Sequence, residues 1–199
     1  MLLPRLTPVA LFALAVAALV PFAVVAPAAP VPRHLMPKEE PVCYPTRVGD
    51  RHVSRIGDFT IVCVVAKAER TADGLLVRTE NEQPDGTRTH NETALVSARG
   101  VKVIEYAGNK LDEPFWWVKL PHAEDNTWSD VWVGQTRNWK TAGWEDVEVP
   151  AGKFRAIRID REDGAPGAVT TYWFAPGMGC VKWSSGTGGR ELTEFKPGK

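Results

Sequence analysis

The sequence predicts an all-β fold: one antiparallel domain, either a curved sheet of half-barrel form or a two-sheet sandwich, placed after an N-terminal signal segment. Three observations carry this expectation. From about Tyr44 onward, short apolar clusters alternate with turn signals at nearly regular intervals. The clusters are enriched in Val, Ile, Thr and aromatic residues, the types that fit a pleated surface. Beyond residue 28 no stretch holds a convincing 3.6-residue apolar period, so no helix is expected. A sheet of this kind must bury one face, against a second sheet or inside its own closing curve.

The chain opens on an address. Met1 to Pro8 carries a single positive charge, Arg5, and a charge-free run extends from Leu6 to Pro32 with its apolar heart at Val9 to Val25. Ala26-Pro27-Ala28 fits the A-x-A pattern after which a signal peptidase cuts. Residues 1–28 therefore read as a signal peptide, and the chain as exported, either periplasmic or secreted. Left uncleaved, the same run would be a membrane anchor, although Pro21 interrupts it and only Arg5 marks an inside-facing flank. Cys43 lies too far beyond the apolar run for lipid attachment at a lipoprotein site. Asn91-Glu92-Thr93 is a glycosylation sequon that matters only in a glycosylating host. Residues 29–45 carry Pro30, Pro32, Pro37, Pro41 and Pro45, a density that blocks helix and central strand alike and reads as an extended tether. The β domain is expected over residues 46–197.

Turn chemistry sets the elements in order. Gly57-Asp58, Ala72-Asp73-Gly74, Pro84-Asp85-Gly86, Ala98-Arg99-Gly100, Ala107-Gly108-Asn109, Asp163-Gly164, Pro176-Gly177 and Gly186-Thr187-Gly188-Gly189 supply the positive φ angles that tight hairpins need. Between them, Phe59 to Ala66 is β-branched on both faces, as in a central strand covered on each side. Val101 to Ile104, Ser129 to Val133 and Ala168 to Phe174 are shorter strands of the same chemistry. Lys153 to Ile159 holds no strict alternation, with Phe154 and Ala156 on one face and Ile157 and Ile159 on the other. That pattern predicts a bulge or burial on both sides.

Three stretches then resemble one family together: Val147-Glu148-Val149-Pro150-Ala151-Gly152-Lys153-Phe154, Thr171-Tyr172-Trp173-Phe174-Ala175-Pro176-Gly177-Met178-Gly179, and Glu191-Leu192-Thr193-Glu194-Phe195. Tyr44-Pro45-Thr46-Arg47-Val48-Gly49-Asp50 fits the same pattern. The chain from about Tyr44 to Phe195 resembles uncharacterised exported bacterial β-proteins of the TapB-like kind, a group likened to the half-barrel of LolA-type lipoprotein carriers. The motifs are turn and strand signatures, so the resemblance implies a fold and, more distantly, a carrier role. LolA-type carriers plug their cavity with helices, and this sequence offers none.

Composition narrows the functional classes. The chain has 24 basic and 24 acidic residues, interspersed along its length, and no basic excess to neutralise a phosphate backbone, so nucleic acid is not an expected partner. Cys43, Cys63 and Cys180 contain no C-x-x-C, and an exported chain could form at most one bridge, with Cys63–Cys180 a candidate pair beside the alternative that Cys63 is simply buried. His52, His90 and His122 are scattered without H-E-x-x-H or helical spacing, so neither a metal nor any other cofactor is expected. No G-x-S-x-G elbow occurs, and the Gly-rich segments adjoin strands instead of opening helices. Asp160-Arg161-Glu162-Asp163-Gly164 lacks the later ligands of a calcium loop and reads as an acidic turn.

Tryptophan is the unusual feature of the domain. All eight lie between Trp116 and Trp183. Most suit core and cross-strand packing, since each indole buries a large area. Phe115-Trp116-Trp117-Val118 differs, because adjacent strand residues point to opposite faces. One indole of that pair is expected to be exposed or to line a cavity, and Trp116, Trp117, Trp132 and Trp139 are the candidate ligand-binding residues. The chain thus reads as a non-enzymatic binding or envelope-associated module whose partner, an envelope protein or a lipophilic small molecule, is open. Contact with a membrane is expected only with an uncleaved signal. One alternative is a carrier or sensor of a lipophilic ligand in a Trp-lined cavity. The other is an enzyme assembled from separate loops, around His90, Glu92 and Asp130.

Overall fold

The computed structural model describes residues 40–164 and 167–199. The signal segment, 1–28, and the tether up to residue 39 lie outside the described residues. Twelve strands and no helix occur among the described residues: β1 (Arg51–Ile56), β2 (Phe59–Thr71), β3 (Gly74–Glu82), β4 (Arg88–Ser97), β5 (Gly100–Tyr106), β6 (Asn109–Lys119), β7 (Thr127–Trp132), β8 (Gln135–Val149), β9 (Gly152–Asp163), β10 (Val169–Ala175), β11 (Gly179–Ser185) and β12 (Gly188–Lys196). All belong to one antiparallel sheet ordered β6-β5-β4-β3-β2-β1-β12-β11-β10-β9-β8-β7. Two up-and-down meanders of six strands are thus joined through the β1–β12 pair. The sheet curls into a nearly closed barrel instead of splitting into a sandwich.

The turn signals fall between strands as expected. Gly100 shows why one of them must be glycine. Its φ is +124°, and a Cβ there would stand 2.1 Å from the Val118 carbonyl oxygen of the neighbouring strand. One hairpin, β7–β8, escaped the turn chemistry, because it turns on Val133 (φ 50°) and Gly134 (φ 73°). A β-branched residue in left-handed backbone is rare, so Val133 read as strand; it is 87 % exposed at the hairpin tip. The expectation that Phe59 to Ala66 is covered on both faces is also corrected. Only Val64 and Val65 are buried, and Phe59 is 77 % exposed beside the β1–β2 turn.

Closure brings the two edge strands face to face without a backbone ladder. Trp128 Nε1 donates to the Trp116 carbonyl at 3.2 Å, and the Phe115 and Trp132 rings meet edge-on at 5.4 Å. Side-chain contacts, not a backbone ladder, close this seam. Two apolar clusters fill the fold. One gathers Val77, Val101, Trp139, Ile157 and Tyr172; the other joins Val147, Ala156, Val181 and Leu192. Ile157 and Ile159 belong to the first, Phe154 and Ala156 to the second, and β9 pairs with β10 without a shift, so β9 is buried on both sides. Trp139 is 1 % exposed, and burying so large an indole contributes about 4–6 kcal/mol before conformational entropy is subtracted.

The end of the Pro-rich stretch does not run free. Cys43 and Tyr44 are 1 % and 5 % exposed, inside the first cluster. Gly177 N–H donates to the Val42 carbonyl at 2.8 Å, and the Tyr44 hydroxyl donates to Glu92. Residues 41–45 are a strap packed into the barrel, because burying Tyr44 outweighs the proline bias toward solvated extended chain.

An internal cavity as the candidate functional site

Bulges decide what faces the barrel interior. Strict alternation would send Asn91 and Glu92 to opposite faces. The β3–β4 register, however, pairs Thr79 with Glu92 and Glu80 with His90, leaving Asn91 as an extra residue. Both Asn91 and Glu92 therefore line the interior. On β6 the partners of Val101 and Lys102 are Val118 and Trp116, so Trp117 is the extra residue there and also turns inward. Trp116 stays on the other face, with Arg99, Lys102 and Lys119 over its ring at 5.5–5.9 Å.

The interior is a cavity of about 480 Å³, within the range of small-molecule sites. Its apolar wall includes Phe115, Trp117, Trp132, Tyr172, Phe174 and Trp183. Its polar wall includes Glu92, His52, Cys63, Arg137, Arg161 and Arg190. Glu92 sits at the junction of both. Its Oε1 accepts from the Tyr44 hydroxyl at 2.7 Å and its Oε2 from Trp117 Nε1 at 3.0 Å. Burial pushes its carboxyl up from the ordinary value, against the pull of those two donors. Tyr44, buried beside that carboxylate, is pushed well above the usual phenol range.

Burial favours the neutral form of His52, Cys63, Cys180 and Tyr172 on the cavity wall. His52 is lowered to about 4 while Nε2 donates to the Met178 carbonyl at 2.6 Å. The Cys63 thiol is pushed up to about 11, Cys180 is raised, and Tyr172 is raised to about 12, each chiefly by desolvation. A thiol so displaced supplies no thiolate at neutral pH, and burial makes His52 a weak base. Cys43 in the strap approaches His122 at 3.7 Å, yet burial lifts that thiol to about 12.

Two of the arginines are fixed by the aromatic wall. Arg137 lies over the Phe115, Trp132 and Trp139 rings at 4.7, 5.0 and 5.4 Å, and its Nε donates to Asp130 at 2.6 Å. Asp130 spends its second oxygen on Trp139 Nε1 at 2.7 Å. Arg161 lies over Trp139 and Tyr172 at 5.3 and 5.2 Å and donates to Asp163.

Of the four candidate tryptophans, Trp117 and Trp132 line the cavity; Trp139 lies behind its wall, and Trp116 is on the other face. Cys63 and Cys180 both line the cavity but carry free thiols, as does Cys43. Their strands, β2 and β11, are separated in the sheet by β1 and β12. His90, Glu92 and Asp130 do not converge. His90 Nδ1 accepts from Gly108 N–H and its Nε2 faces Thr93, while Asp130 is consumed by Arg137 and Trp139. No group of three metal-ligating side chains gathers among the described residues. The sequence reading missed Tyr172, Phe174, Trp183 and all three arginines as lining residues. Arg161 was absorbed into an acidic turn, and only knowledge of the register would have separated it.

No known protein family matches the chain, and no curated protein matches it. Among solved structures it is similar to a candidate exported protein with a YmcC-like fold from Bacteroides fragilis NCTC 9343, at 14% identity and a TM-score of 0.47. It is also similar to a candidate lipoprotein from Parabacteroides distasonis ATCC 8503, at 13% identity and a TM-score of 0.46. Each comparison covers 78% of this chain and 99% of the other. The TapB-like and LolA-type likeness read from the sequence stays a resemblance.

Proposed function

We propose that this is an exported, non-enzymatic protein that carries or senses a small ligand with an apolar body inside its barrel. The carrying observation is the cavity of about 480 Å³, whose wall sets aromatic rings beside an equal share of polar groups. Export rests on the reading of residues 1–28 as a signal peptide. The non-enzymatic part is supported by the protonated thiols, the neutral, carbonyl-bonded His52 and the separation of His90, Glu92 and Asp130. The cavity favours the carrier reading over an envelope-docking module, because docking needs an outer surface and gives no reason for an open interior.

Nile red, a neutral apolar fluorophore, tests it. The expected result is saturable one-to-one binding at micromolar concentration, with transfer from the lining tryptophans. Ser54→Phe places a ring into the cavity from a buried lining position and should abolish the signal while circular dichroism stays unchanged. Absence of saturable binding to the unmodified chain would refute the proposal.

A further inference from the structure

We infer that the ligand carries an acidic oxyanion head group, held by Arg137 and Arg161 with Arg190 facing it from β12; this rests on the cavity reading above. Each of these three lining arginines has a guanidinium nitrogen without exposed surface and without a hydrogen-bond partner: Nη2 of Arg137, Nε of Arg161 and Nε of Arg190. Such groups are rarely left without an acceptor. Arg137 is 5 % exposed, and Asp130 accepts from its Nε and from Trp139 Nε1 but not from Nη2. Arg161 donates to Asp163 through Nη2 at 2.6 Å, which leaves its Nε uncommitted. No carboxylate stands within ion-pair distance of Arg190 among the described residues.

The arrangement has the features of an anion subsite. In the β8–β9 ladder Trp139 pairs with Arg161 and Arg137 with Asp163, so the two guanidinium groups sit diagonally and share the Trp139 ring. Stacking on rings holds each planar fork in one orientation, and that fork matches a carboxylate, phosphate or sulfate. Asp130 and Asp163 pair with Arg137 and Arg161 through other nitrogens, and the one carboxyl on the cavity wall itself, Glu92, is raised by burial. His52, Cys63, Cys180, Tyr44 and Tyr172 also face the interior, and burial favours the neutral form of each. Phe115, Trp132 and Tyr172 adjoin the arginines and offer apolar contact to whatever follows the head group.

The test titrates the full chain, stripped of co-purified lipid, with decanoate, 1-decanol and inorganic phosphate, read by tryptophan fluorescence and calorimetry. Decanoate should bind at least tenfold more tightly than decanol. The charge-balanced variant Arg161→Gln/Asp163→Asn should bring the ratio of decanoate to decanol affinity to near one. Phosphate binding that the variant abolishes, without decanoate binding, keeps the arginine subsite and identifies a small free oxyanion as its source. Equal affinity for decanoate and decanol in the unmodified chain overturns the inference and leaves the cavity reading standing. Binding of neither decanoate nor phosphate, with Nile red still bound, overturns it too. Loss of all three ligands brings down the cavity reading itself. Should the variant fail to fold, the decanoate-to-decanol ratio of the unmodified chain still decides.

Discussion

Tyr44→Phe is the sharpest probe of the strap, because it deletes one oxygen and leaves the ring. In the native fold that hydroxyl donates to Glu92 Oε1 at 2.7 Å from a residue 5 % exposed. A hydrogen bond to a charged, buried acceptor contributes about 1.5–3 kcal/mol, and its loss also strands a carboxylate oxygen. Glu92 keeps one donor, Trp117, so we take about 2 kcal/mol. In a domain of this size that lowers Tm by about 4–8 °C. The effect must also depend on pH. The Tyr44 bond holds the Glu92 pKa down against burial, so the variant's folded state retains that proton to higher pH than the native one. A carboxyl raised in the folded state loses stability as pH climbs above its unfolded value, and the variant loses more. The gap between the two proteins should therefore widen from pH 5 to pH 8 in thermal melts. A double-mutant cycle with Glu92→Gln should show coupling of about 0.5–3 kcal/mol. A Tm within about 1 °C of the native value at pH 8 would refute the reasoning and return residues 41–45 to the status of a tether.

His52 sets an acid-side slope. Its folded value is about 4 against 6.5 when free, so the unfolded chain binds the extra proton between those limits. Stability is then full above pH 6.5 and lost as pH falls toward 4, by up to about 3 kcal/mol, and His52→Gln should flatten urea midpoints over that window. An unchanged slope in that variant would exclude His52 as the cause. Gly100→Ala should destabilise by more than about 1 kcal/mol, since the new Cβ meets the Val118 carbonyl, whereas Gly57→Ala meets nothing within 4 Å and should cost less. Equal midpoints for these two variants would contradict the close approach of β5 and β6. Trp117→Ala removes a donor from Glu92 and opens the cavity wall, a loss of about 3–5 kcal/mol, while Trp116→Ala on the opposite face should cost about 1–2 kcal/mol. Comparable losses in denaturant titration would mean both indoles are core.

Local chemistry made the strands and most hairpins legible. Asp163-Gly164, Pro176-Gly177 and their like force the chain to reverse wherever they occur, and Val, Ile, Thr and aromatic residues fill the stretches between. The same locality hid the β7–β8 hairpin, which turns on a valine that chemistry alone assigns to a strand. Curved sheet and sandwich were equally compatible with the pattern; the β1–β12 ladder, joining residues about 140 positions apart such as Val53 and Glu194, made it one sheet and nearly closed it. The faces were only half legible, since a period of two keeps its phase only as far as the next bulge. Asn91 and Trp117 each reset that phase, and so Glu92 meets Tyr44 and Trp117 inside the barrel. Sequence by itself determined the element type and the turns, which depend on neighbours along the chain. The cavity and its three arginines were decided by tertiary structure, because Arg137, Arg161 and Arg190 come from β8, β9 and β12 and converge only through long-range pairing and closure of the sheet.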